Sequence, residues 1–190
     1  MNRVTTDNGW SIFGEPLHGR ACRSCQFCCT HVPVEEPLNK LAGERCKHQC
    51  SKGCAIYANR PDPCKAWSCV WLFHEDAAAM KRPDISGYAI DLMPQTILID
   101  DEPVDAIQVW VDAARPDSHR DPALRDFLAK AAKKYRLPAI VRWSDGLAQA
   151  GREAMVLVAP LLNDTNGWIE NRSPMLSTED MRKKLGEYRR

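Results

Sequence analysis

Apolar residues in the second half of the chain fall into short blocks whose period changes along the sequence. Tyr88-Ala89-Ile90-Asp91-Leu92, Thr96-Ile97-Leu98-Ile99 and Ile107-Gln108-Val109-Trp110-Val111 predict strands, the first two joined through Met93-Pro94-Gln95. At Asp121-Pro122 the period lengthens. Leu124, Phe127, Leu128, Ala131, Ala132 and Tyr135 recur at three and four residues, which predicts an amphipathic helix with one apolar face. Beyond Leu137-Pro138, Ala139 to Trp143 and Ala154 to Ala159 predict a further strand pair around a turn at Ser144-Asp145-Gly146, the second strand ending at Pro160. From Asn171 the chain is charged, through Arg182-Lys183-Lys184 to Arg189-Arg190, and reads as a short exposed helix or a disordered tail over 171–190.

The first half lacks such periodicity and is punctuated by turn signals: Glu36-Pro37, Ala42-Gly43, Lys52-Gly53 and Arg60-Pro61-Asp62-Pro63. Asp62-Pro63 reads as an N-cap followed by a first-turn proline, opening a helix that continues to His74. Cys64 falls in its first turn, where unpaired N–H groups favour a thiolate.

Composition adds the decisive feature. The chain of 190 residues has nine cysteines, all between Cys22 and Cys69. The start, Met1 to Asn8, is polar, and no run approaches the roughly 20 apolar residues that span a bilayer, so the expected location is the cytoplasm, with no membrane partner. In a reducing compartment a disulfide framework is disfavoured, and an odd count leaves one thiol unpaired. Metal ligation is the leading explanation for so dense a cluster. Formal net charge is +1, so no global field draws the chain to nucleic acid.

Cys22-x2-Cys25-x2-Cys28-Cys29 places four thiols within eight residues and curls a short loop so that several sulfurs face one point. Structural zinc takes four tetrahedral ligands, usually from two short cysteine turns, and ferredoxin-like loops use C-x2-C-x2-C for an iron–sulfur cluster. Here the Cys-Pro of the ferredoxin run is missing. Adjacent Cys28 and Cys29 diverge in an extended chain, which points to two centres or one centre with two metals. Cys46, Cys54, Cys64 and Cys69 supply the second set, with Cys50 as the ninth, spare thiol. A four-thiolate site carries about two negative charges, which Arg20, Arg23, Arg45, Lys47, Lys52, Arg60 and Lys65 are placed to offset, Arg20, Arg23 and Lys65 foremost.

In these residues the chain resembles the YkgJ-type cysteine-cluster family, a zinc- or iron-chelating domain. The elements that carry the resemblance are Cys22-x2-Cys25-x2-Cys28-Cys29, Cys46, Gly53-Cys54-Ala55-Ile56-Tyr57, Arg60-Pro61-x2-Cys64, Cys69 and Trp71, with an echo at Arg82-Pro83-Asp84-x2-Gly87. Cys50 lies outside that pattern. The resemblance implies metal chelation and no general reaction. Flagellin lysine N-methylases look similar in their cysteine cluster, which keeps a redox or methyl-transfer role in view.

Other candidates have plainer readings. His31, His48 and His74 could ligate, but with nine thiols present they read as surface or supporting residues. Trp67, Trp71 and Phe73 read as core, Asp100-Asp101-Glu102 as an exposed turn before Pro103, and a Cys64–His74 nucleophile pair needs a contact that sequence cannot supply. The expected architecture is α+β. An irregular metal module over about 15–80 packs on a small antiparallel or mixed sheet with one main amphipathic helix at 85–162, as two parts or around one shared core. The expected function is zinc or iron chelation, with one or two Zn2+ sites or an iron–sulfur cluster and a protein partner. The alternatives are an iron–sulfur redox or methyl-transfer enzyme and, third, a zinc-ribbon-like nucleic-acid- or protein-binding module.

Overall fold

The computed structural model of the chain describes residues 16–67, 69–93, 96–99, 102–144, 153–160 and 168–176. Its elements are α1 (Phe27–His31), β1 (Gln49–Cys50), β2 (Gly53–Cys54), α2 (Asp62–Ala66), α3 (Val70–Phe73), α4 (Pro83–Ser86), β3 (Tyr88–Leu92), β4 (Ile97–Ile99), β5 (Glu102–Val104), β6 (Ile107–Asp112), α5 (Pro122–Tyr135), β7 (Ala139–Ser144), β8 (Glu153–Pro160) and β9 (Trp168–Leu176). The class is α+β with one main helix, α5.

Five strands form a mixed sheet in the order β3-β6-β7-β8-β9. Strand β6 runs antiparallel to β3, with Tyr88 opposite Val111, and parallel to β7, with Ile107 opposite Ala139. The parallel pair needs a crossover, which α5 supplies. Helix α5 starts where the sequence marks it: the Asp121 carboxylate accepts from Ala123 N–H at 2.9 Å and Pro122 enters the first turn. It stops at Arg136, whose left-handed backbone (φ 55°) turns its N–H back to the carbonyls of Ala131 and Ala132.

Side-chain alternation gives the sheet two buried faces. Tyr88, Ile90, Ile107, Val109, Val111, Ala139 and Val141 meet Leu124, Phe127, Leu128 and Ala131 of α5, joined at the edge by Val70, Ala77 and Met80. On the opposite face Ala89 and Trp110 meet Phe27, Val32 and Ala42 of the cysteine segment, with Cys25, Cys28 and Trp67 packed beside them. Burial on both sides explains why β3 and β6 read as nearly continuous apolar runs.

Five expectations change. Strand β4 does not follow β3 as its hairpin partner; it pairs with β5, and β3 pairs across to β6. The helix expected from Asp62 to His74 is two short helices, with Trp67 and Cys69 extended at the break (ψ 126° and 118°). Neither piece is long enough to sustain a helix through its own hydrogen bonds, so packing of Trp67 and Cys69 against the sheet decides their backbone. The cap position of α2 belongs to Pro61, and Asp62 sits inside the helix, where its carboxylate accepts from Lys65 Nζ at 3.1 Å. Residues 171–176 are not tail but the end of β9, paired with β8, and Glu102 opens β5 rather than lying in a turn. Met1 to Asn8, Pro94-Gln95, Asp100-Asp101, Asp145-Gly146 and residues 177–190 lie outside the described residues. Among the described residues no helix is long and apolar enough to cross a membrane.

Candidate metal centre

Six local devices bring the eight cysteines in. A tight turn, closed by Cys25 N–H donating to Cys22 O at 2.7 Å with Arg23 left-handed (φ 45°), presents Cys22 and Cys25. Helix α1 carries Cys28 and Cys29, and Cys46 N–H donates to Cys29 O at 2.8 Å, tying in the next segment. The β1–β2 hairpin carries Cys54, α2 carries Cys64, and Cys69 caps α3. At the hairpin, Gly53 has φ 120° and an added Cβ would lie 2.9 Å from Arg23 O, so the hairpin can approach the Cys22–Cys25 turn only because glycine is there. Gly53→Ala is expected to cost about 1–3 kcal/mol, read as a lower urea midpoint.

The eight cysteines named from spacing, Cys22, Cys25, Cys28, Cys29, Cys46, Cys54, Cys64 and Cys69, all line one cavity of about 300 Å³. Cys50 does not: it lies in β1, where its carbonyl accepts from Gln26 Nε2 at 2.6 Å. Among the described residues the cavity is lined by five cationic side chains, Arg20, Arg23, Lys40, Arg60 and Lys65, and by no carboxylate. Among the described residues no three His, Cys, Asp or Glu side chains are drawn together tightly enough to hold an ion as they stand. The donor chemistry nevertheless fits a thiophilic metal: soft sulfurs select zinc, cuprous copper or iron–sulfur clusters, while magnesium and calcium need oxygen ligands that this wall lacks. Two four-thiolate zinc sites would carry about four negative charges, close to what five cations offset.

Cys28 and Cys29 sit on a helix and not an extended chain, so their side chains point about 100° apart instead of to opposite sides. Their thiols share a hydrogen bond. That bond lowers Cys29 to about 7 against the opposing effect of burial, with Lys40 helping, and it raises Cys28 well above the ordinary thiol value together with burial. Cys64 overturns the expectation of a helix-end thiolate: burial, then Cys46, Cys29 and Cys54, raise its pKa. Burial also raises Cys22 and Cys25, and pushes Cys69 up to about 12. A metal arriving at these groups must therefore displace protons.

Lys40 is the residue that sequence reading missed. Its side chain is 5% exposed, and its ammonium donates to the carbonyls of Thr30 (3.2 Å), Val32 (2.5 Å) and Leu41 (3.2 Å) while attracting Cys46, Cys28 and Cys29. The lone lysine between Leu38 and Leu41 was the available signal. Arg82 was also missed as a charge partner. It clamps Asp84 at 2.6 and 2.7 Å, reaches Ser24 Oγ at 3.3 Å and acts favourably on the Cys22 thiolate.

The cations named from sequence divide. Arg20 donates to the carbonyls of Trp71, Ala77 (3.0 Å) and Ala78 (3.1 Å), lies over the Trp71 ring and attracts Cys69. Arg60 stacks on Tyr57 at 4.2 Å, and Lys65 pairs with Asp62 at the surface. Arg45, Lys47 and Lys52 do not line the cavity. Of the histidines only His48 lines it. His31 packs on Phe27 at 4.3 Å, and His74 packs on Phe127 and Tyr135 in the other core, so Cys64 and His74 are not brought together. Trp67 and Phe73 line the cavity, whereas the Trp71 indole donates to Met80 O at 3.1 Å.

Beneath the cysteine segment lies a buried acid. Asp91, 3% exposed on the Ala89 face of β3, accepts from Gln108 Nε2 at 2.8 Å, and the buried indole N–H groups of Trp67 and Trp110 are turned towards its carboxyl group. Burial raises Asp91 to about 7, against the favourable pull of Gln108, Arg142 and the two indoles. The unfolded chain loses this proton at an ordinary carboxylate pKa while the native chain keeps it, so the contribution of Asp91 to stability falls as pH rises towards 7. Asp91→Asn is expected to flatten that slope. Relative to the parent, the variant should gain about 3 kcal/mol between pH 5 and pH 8, measured by urea denaturation at both.

No family model matches the chain, and no curated protein and no solved structure is found to be similar to it.

Proposed function

We propose that the chain binds a thiophilic metal, zinc or iron, in the cysteine-lined cavity, and that the centre organises residues 20–75. What supports this is the convergence of eight cysteines from six separate segments on one cavity with cationic walls, while the ninth, Cys50, stays outside it. A structural or chelating role follows from four-thiolate coordination, which leaves no position open for a substrate. The first test is metal and acid-labile sulfide content of protein purified without oxygen. About two zinc per chain and no sulfide would support the chelating role, and a chain without zinc or iron would defeat it.

Within this reading Cys25→Ser should lower metal content by about one equivalent and destabilise the chain, whereas Cys50→Ser leaves both unchanged. Equal loss in the two variants, by elemental analysis and urea denaturation, would contradict the assignment.

A second reading, an iron–sulfur redox or methyl-transfer enzyme, is favoured by the size of the cavity. About 300 Å³ is room for on the order of ten water molecules, far more than one or two ions need. Iron with matching sulfide in the same assay would move this reading to first place.

A further inference from the structure

The sequence groups the cysteines by their order along the chain: Cys22, Cys25, Cys28 and Cys29 first, then Cys46, Cys54, Cys64 and Cys69. The tertiary structure groups them differently. Besides the large cavity there is a cleft of about 20 Å³ between the cysteine segment and the sheet, floored by Ala89 and closed by Trp67, Trp71 and Pro83. The cysteines lining it are Cys22, Cys25, Cys28 and Cys69, which also reach the large cavity, whereas Cys29, Cys46, Cys54 and Cys64 line the large cavity alone. That volume holds a single water-sized body, the scale of one ion.

The thiols' mutual repulsion sorts them the same way. Cys69, buried at the head of α3, is acted on by Cys25 and Cys22, and Cys25 by Cys22. Cys64 is acted on by Cys46, then Cys29 and Cys54. The two groups meet where Cys28 hydrogen-bonds Cys29, with Cys22 also facing Cys29. Neighbours on a helix point about 100° apart, so Cys28 faces the sheet-side cleft while Cys29 faces the hairpin and α2. Break of the Asp62–His74 helix at Trp67 completes the exchange, because it lets Cys64 stay with one group while Cys69 crosses to the other.

We infer that the chain holds two adjacent four-thiolate metal sites of crossed connectivity: Cys22, Cys25, Cys28 and Cys69 in the sheet-side cleft, and Cys29, Cys46, Cys54 and Cys64 in the larger cavity. The inference rests on the metal-binding reading above. Because no three thiols stand at coordinating distance beforehand, each ion draws its four sulfurs inward and releases the protons that burial keeps on them. Lys40, beside Cys46, Cys28 and Cys29, lies at the boundary between the two sites, where their negative charges are closest.

Zinc uptake by the full metal-free chain and its paired variants tests this. The parent should take up about two equivalents. Cys25→Ser and Cys69→Ser should each lose about one, and the Cys25→Ser/Cys69→Ser double no more than either alone, whereas Cys25→Ser/Cys64→Ser should lose both. Should Cys69→Ser/Cys64→Ser lose only one equivalent and Cys25→Ser/Cys69→Ser lose both, the order along the chain governs and the crossed assignment is wrong. A parent that binds no zinc overturns the metal reading and this inference together. A parent that binds only one equivalent overturns the two sites alone.

Because a lost ligand can unfold the cysteine segment, the parent is also alkylated at rising zinc, with each cysteine followed by peptide mass spectrometry. Protection of Cys69 should track Cys22, Cys25 and Cys28; tracking with Cys46, Cys54 and Cys64 rejects the proposal.

Discussion

Stripping zinc from the loaded chain with a strong chelator should abolish the fixed packing of the cysteine segment, the largest change expected for any perturbation of this protein. That segment has little else to hold it. Helices α1, α2 and α3 span five, five and four residues, far below the length that sustains a helix in water, and β1 and β2 pair over two residues each. Its apolar contribution to the core on its side of the sheet is confined to Phe27, Val32 and Ala42, with Cys25, Cys28 and Trp67 partly buried beside them. In small modules of this kind the free energy of metal ligation is itself folding free energy, so a bound metal would supply order that this small core does not.

The expected readout is loss of the near-ultraviolet circular dichroism of Trp67 and Trp71, together with rapid alkylation of the eight cavity cysteines. Helix α5, buried in the other core, should keep its far-ultraviolet signal. Thiols that react at the same rate with and without chelator would show that the segment does not depend on metal.

The second large effect is expected from Lys40→Met, which keeps the length and apolar stem but removes the ammonium. Three carbonyls, those of Thr30, Val32 and Leu41, would lose their donor, and the Cys28–Cys29 pair would lose its nearest buried cation. Leaving buried carbonyls without their charged donor costs about 1–3 kcal/mol. The variant should therefore unfold at markedly lower urea. Its Cys29 thiol should also titrate above the parent's value of about 7, measured as alkylation rate against pH on the metal-free chain. Lys40→Arg should rescue only partly, since a planar guanidinium cannot direct three bonds as a tetrahedral ammonium does. A methionine variant with parental stability and an unmoved Cys29 would show that the cation does not serve the thiols.

Much of the second half was legible because its signals are local. Asp121-Pro122 and the three-and-four spacing from Leu124 to Tyr135 specify α5 through caps and one apolar face. The blocks Tyr88–Leu92 and Ile107–Val111 became strands close to their expected limits. Strand partners were less legible: β3 pairs with β6 across an intervening hairpin, and that choice depends on which faces α5 and the cysteine segment cover. Asp91 and Gln108, polar positions within those strands, alternate onto the second face and form its polar centre.

By itself the sequence singled out the eight thiols that line one cavity and the one that does not, because short C-x2-C spacings and the cysteines before and after Arg60-Pro61 act over a few residues of backbone. Only the tertiary structure decided that four of those eight also line the sheet-side cleft, that a buried Lys40 stands beside Cys46, Cys28 and Cys29, and that the helix after Pro61 breaks at Trp67. Those outcomes depend on contacts between residues far apart in the chain: Trp67 and Cys69 against the sheet, Cys64 against the hairpin, Lys40 against the end of α1. The free energy of burying those groups together exceeds the local backbone preferences that spacing and propensity express.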